Sequence, residues 1–152
     1  MLKTRHPSVA AGLSYRDPRA ALEWLERVFG FETSMVIEDS SGAIVHSEMS
    51  VGDGLIMVGM EWDEHHRSPA GLNGVNTQSL HVYLDEDIDA HCARARAAGA
   101  VIFREPADEF YGARVYGAVD LEGHRWTFDR LMKTLSDDEI AAAGGVKVRS
   151  RL

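Results

Sequence analysis

The sequence predicts an α+β fold in which two βαβββ modules with mostly antiparallel sheets share one domain. Three observations carry this. The stretch Ser14 to Glu32 reads as strand end, acidic turn, amphipathic helix and Gly-aromatic exit, and Val82 to Phe103 follows the same plan. Tyr15 and Tyr83 lie 68 residues apart and Gly30 and Gly99 lie 69 apart, so the two copies keep register to within one residue. Each copy is followed by short runs that alternate between apolar and polar residues and are punctuated by turn residues, the mark of strands. Small repeats of this kind must pair to bury a core, and a groove between paired sheets is a natural place for a ligand.

The elements follow in order. Val9 to Tyr15 alternates apolar and small residues and hands over at Asp17-Pro18, an acidic N-cap with proline at the first helical position. Ala21, Leu22, Leu25, Val28 and Phe29 then recur at helical spacing until Gly30 stops the helix. Strands are expected over Glu32 to Glu38, Ala43 to Val51 and Leu55 to Met60, joined by turns at Asp39-Ser40-Ser41-Gly42 and Gly52-Asp53-Gly54. Residues 63–78 form a polar, punctuated linker between module one (8–62) and module two (79–130). Module two opens with Ser79 to Leu84 and carries its helix from Asp87 to Ala98. Its strands are expected around Ala100 to Arg104, Ala113 to Asp120 and Arg125 to Asp129, with turns at Glu105-Pro106 and Asp120-Leu121-Glu122-Gly123. In the tail (131–152), Ser136 to Glu139 has a capping-box signature that opens a short helix ended by Gly144-Gly145, with frayed residues beyond.

Composition narrows the function. With 152 residues the chain is long enough to bury a core without staples. A formal net charge of -8 and the lack of a clustered basic face exclude a nucleic-acid partner. No run reaches the roughly 18 apolar residues of a membrane span, and the start MLKTRHPSV has no signal-peptide core, so no membrane partner and a cytoplasmic location are expected. The single Cys92 excludes an intramolecular disulfide and a CxxC knuckle, and reads as a buried structural cysteine. No Walker loop, nucleophile elbow or dinucleotide fingerprint is present.

The paired βαβββ plan, the spacing from Asp17 to Gly30-Phe31, the helix end ARARAAGA and the run YGARVYGAVDLEGHRWTF together resemble the vicinal oxygen chelate superfamily. That group contains glyoxalase I, bleomycin-resistance proteins and extradiol dioxygenases, and this chain is closest to its glyoxalase-like or bleomycin-resistance-like branch over residues 8 to 130. The resemblance implies a cup-shaped sheet from each module, completed in a homodimer, with a small ligand in the cup.

The resemblance also implies where the family's enzymes place metal ligands, and here those positions fall on Ala10, Met57 and Thr127. None suits a hard divalent cation, which needs three or four converging imidazoles or carboxylates. Only His81 remains, on a strand whose Ser79, His81 and Tyr83 share one face and Leu80, Val82 and Leu84 the other. No metal and no other cofactor is therefore expected. The expected function is binding of a small organic molecule, with Trp62, His81, Tyr83, Tyr111, Arg114, Tyr116 and Trp126 as candidate contacts, because rings stack and an arginine fork holds an oxygen. Trp126 serves equally as core, and Arg114 equally as an ion-pair partner of Asp120 or Glu109. The alternative is a metal-dependent lyase or isomerase of the glyoxalase type that combines His81 with His46 and Glu48, two residues that share a strand face. The adjacent His65 and His66 read as surface loop, and His124 as a residue that orders its turn.

Overall fold

The computed structural model describes residues 6–149, so the expected fraying at the two ends falls partly outside the described residues. Two four-stranded mixed sheets and three helices appear in the order β1 (Ala11–Tyr15), α1 (Pro18–Phe29), β2 (Glu32–Glu38), β3 (Ile44–Val51), β4 (Gly54–Met60), β5 (Ser79–Tyr83), α2 (Ile88–Ala97), β6 (Val101–Asp108), β7 (Ala113–Val119), β8 (Arg125–Leu131) and α3 (Asp137–Gly144). The sheets repeat one topology, β1-β4-β3-β2 and β5-β8-β7-β6. In each, only the first pair is parallel.

Local chemistry explains most element ends. Asp17 caps α1 by accepting a hydrogen bond from the Ala20 N–H at 3.0 Å, and Gly30 leaves the helix in the left-handed region with φ 75°. Asp87 caps α2 in the same way, and Ser136 with Glu139 closes the capping box of α3. One expected turn is corrected. Glu105-Pro106 lies inside β6, which continues to Asp108, and the chain turns instead at Glu109 to Gly112. Proline is tolerated there because β6 is an edge strand and its register shifts between Arg104 and Ala107.

A single apolar cluster joins the two halves of the chain. Phe29 at the end of α1 meets Trp126 at 5.6 Å and Phe128 at 4.8 Å between ring centroids, and Phe31 meets Trp126 at 5.3 Å. Polar bonds reinforce the junction. The Asp120 carboxylate accepts from the Tyr15 hydroxyl at 2.6 Å and the Trp126 indole N–H at 3.1 Å, while the Glu122 carboxylate accepts from the backbone N–H of Arg16 and Asp17. The His124 Nε2 donates to the Ser14 carbonyl at 2.9 Å. The β7–β8 turn of the second half thus closes the end of β1 in the first.

Candidate functional site

Because α1, α2 and one face of each sheet are spent on the shared core, the opposite sheet faces stay open. Strand alternation decides what they carry. In the first half, Gly12 pairs with Met57, Met57 with Glu48 and Glu48 with Met35, so these four form one row across the open face. His46 lies two residues from Glu48 and its Nε2 is 2.9 Å from the Glu48 Oε1. His6 Nδ1 stands 4.0 Å from the other carboxylate oxygen, and Glu48 itself is buried. Beside this pair runs a groove of about 570 Å³ lined by Ala10, Val45, His46, Met57, Met60 and Trp62, among others. Trp62 is 68% exposed and lies on the His66 ring, with centroids 3.9 Å apart and planes at 23°. The groove combines apolar, polarisable thioether and flat aromatic surface with one hydrogen-bonding pair.

In the second half, His81 pairs with Thr127 and Thr127 with Gly117, while Tyr83 pairs with Asp129 and Asp129 with Val115. Phe103 of β6 lies over Gly117, where any side chain would collide with its ring, and the Arg125 guanidinium sits 4.6 Å from the same ring. Asp129 is buried on this face, which pushes its carboxyl above the usual carboxylate range; nearby His81 opposes the rise and Glu109 adds to it. Burial also raises the Tyr111 phenol, which feels the charges of Glu109 and Asp129. A further cleft of about 700 Å³ opens between the edge strands β1 and β5, lined by Ala11, Ile56, Ser79, His81, Tyr83 and Trp126, among others.

The seven residues singled out from sequence therefore do not gather as one set. His81, Tyr83 and Tyr111 stand on or beside the open face of the second sheet, and Trp62 stands at the groove of the first. Tyr116 and Trp126 are fully buried, their polar ends bonded to the His91 Nδ1 and the Asp120 carboxylate. Arg114 lies on the helix side, paired with Asp89 of α2 at 2.6 Å and with Asp108 at 2.9 Å, not with Asp120 or Glu109. Asp129, Met60 and Val45 escaped notice in the sequence. Asp129 carried a signal all the same: it alternates with the apolar Trp126 and Phe128, which sends it to the other face.

The model for the Glyoxalase/Bleomycin resistance protein/Dioxygenase superfamily matches residues 8–128. This chain belongs to that superfamily. Superfamily structures share its fold. TioX from Micromonospora sp. ML1 is 34% identical, covering 82% of this chain and 98% of that one, with a TM-score of 0.65. TnmS3, an antibiotic binding protein from Streptomyces sp. CB03234, is 17% identical over 83% of this chain and 99% of that one, with a TM-score of 0.64. An uncharacterized protein of Mycobacterium tuberculosis is 25% identical, with coverage of 90% of this chain and 82% of that protein.

Superfamily enzymes of the chelate type hold a divalent metal, and the residues here do not fit one. Met57 presents a thioether, Thr127 a neutral hydroxyl and Ala10 no donor at all, a set that leaves a hard cation unsatisfied. Among the described residues, no three His, Cys, Asp or Glu side chains lie together in a way that would hold an ion. His81 and the His46–Glu48 pair stand on different sheets, each on the face turned from the common core. Among the described residues, no helix is long and apolar enough to cross a membrane.

Proposed function

We propose that this protein binds a small organic molecule on its open sheet faces without a catalytic metal, and that two copies pair so that a face from each completes a cup. The observation that carries the reading is the groove beside Met57, Met60 and Trp62. It is a recess of about 570 Å³, inside the usual range for small-molecule sites, where thioether and aromatic surface meets polar groups such as His46 and Gln78, at a place where the superfamily's enzymes would present acidic ligands. The antibiotic-binding activity of TnmS3, a protein of the same fold, supports it. Exposed Met35, Ile37, Phe103 and Leu131 on or beside the sheet faces support pairing of two copies, since apolar sheet surface gains from being covered.

Trp62 makes the test direct, because it is exposed while Trp126 is buried and Trp24 is half-buried against Phe29. Titration with the uncharged bicyclic 2-naphthalenemethanol is expected to quench tryptophan emission saturably, and Trp62→Ala is expected to remove the response while the circular dichroism spectrum stays unchanged. A strictly linear, unsaturable response sinks the binding reading. Protein purified without chelator and offered nickel, zinc or manganese is expected to retain no stoichiometric ion. Retention that His81→Ala abolishes would instead favour a metal site of the kind the lyase or isomerase alternative requires. Sedimentation equilibrium reads the dimer.

A further inference from the structure

Every other buried carboxylate in the described structure has a partner. Asp120 accepts from a phenol, an indole and three backbone N–H groups, and Glu48 accepts from His46. Asp129 differs. It is only 7% exposed, yet among the described residues its carboxylate receives no hydrogen bond and forms no salt bridge. Its oxygens are not sealed from solvent, so a ligand at the open face would meet, in place of water, a carboxylate that the described chain leaves unpaired.

The surroundings say what kind of partner. Asp129 faces the open side of the second sheet, beside Tyr83 in the register of β5 and within the electrostatic reach of Tyr111, Glu109 and His81. Glu109 adds negative potential at Asp129, reduced by its ion pair with Arg104. Tyr83 and Tyr111 are 77% and 37% exposed, so two phenol rings near Asp129 have area to offer. A carboxylate beside exposed aromatic rings suits a positive nitrogen, through charge pairing and attraction to the ring quadrupole. An anionic ligand group is disfavoured by the Asp129 carboxylate.

We infer that Asp129, with Tyr83 and Tyr111 near it, is a subsite for a positively charged nitrogen of the bound ligand, an amine, guanidinium or quaternary ammonium. This rests on the reading of the protein as a small-molecule binder and names a chemical class for its ligand. The local geometry, not the overall charge of -8, makes the selection.

The test uses benzyltrimethylammonium chloride and the neutral benzyl alcohol on the full chain, with sodium chloride at matched ionic strength as the blank. The carboxyl carbon of Asp129 is followed by NMR through a pH titration. The ammonium is expected to lower the Asp129 titration midpoint saturably and to bind about tenfold or more tightly than the alcohol. Asp129→Asn is expected to level the two affinities. Equal affinities in the wild type, or a preference that survives in Asp129→Asn, overturns the subsite. If that variant fails to fold, the wild-type titration decides alone, and an Asp129 midpoint that the ammonium leaves unmoved overturns it. An unmoved Asp129 with Trp62 still quenched by 2-naphthalenemethanol removes the cation subsite only; loss of both responses removes the binding reading as well.

Discussion

At the scale of single residues, Asp120 and His91 hold the junction between the two halves. Asp120 joins β1, its own turn and β8 through five accepted hydrogen bonds, three of them buried and two half-buried. Asp120→Ala orphans the Tyr15 hydroxyl and the Trp126 N–H, so it is expected to lower stability by about 2–4 kcal/mol in urea unfolding. His91 is buried against Tyr116, whose hydroxyl lies 2.6 Å from its Nδ1, while its Nε2 lies 3.2 Å from the Phe29 carbonyl. Burial lowers its pKa, the backbone bond to Phe29 opposes this, and the charges of Glu86 and Arg94 act weakly in opposite senses. The unfolded chain therefore binds a proton at a higher pH than the folded one. Stability from the neutral ring is complete above the ordinary histidine value and is lost as pH falls through that value toward the lowered one. His91→Gln is expected to flatten this part of the stability-versus-pH curve, measured by thermal melts at graded pH. Neither role was legible in the sequence, because the partners of both residues include groups dozens of positions away.

At the scale of elements, the strands and helices follow from local pattern, and the departures have local causes. The α1 stripe of Ala21, Leu22, Leu25, Val28 and Phe29 is buried as its spacing predicts. The β6 strand runs past the Glu105-Pro106 pair, because proline interrupts a strand only where its N–H would have to donate, and the edge position with a register shift lifts that demand. Gly117 of β7 shows a constraint between strands. Its missing Cβ leaves the space that the Phe103 ring of β6 fills. Gly117→Ala is expected to cost about 1–3 kcal/mol through forced movement of that ring. In a double-mutant cycle, Phe103→Ala should recover part of this penalty. Simple additivity of the two changes would show that the ring and the glycine do not interact.

At the scale of the whole molecule, one core binds both halves, since Phe29 and Phe31 pack directly on Trp126 and Phe128. Residues 79–152 expressed alone would expose that surface, and the fragment is expected to show no cooperative thermal transition by circular dichroism while the full chain does. The repeated sheet order follows from the near-repeat in the letters, and with it the open faces that carry the candidate site. The division of aromatic residues between core and face does not. The repeat spacings of 68 for the tyrosines and 69 for the glycines differ by one residue, and on a strand one residue exchanges the faces. Tyr15 accordingly lies fully inside, bonded to Asp120, and Tyr83 lies outside beside Asp129. By itself the sequence determined the two βαβββ units and their caps, because periodicity and capping chemistry are local properties. Only the tertiary structure decided that Trp126, Tyr116 and Arg114 are bonded within the fold and that Asp129, among the described residues, is left without a partner. Burial and pairing depend on which distant strands, helices and turns come together, and no window along the chain contains that information.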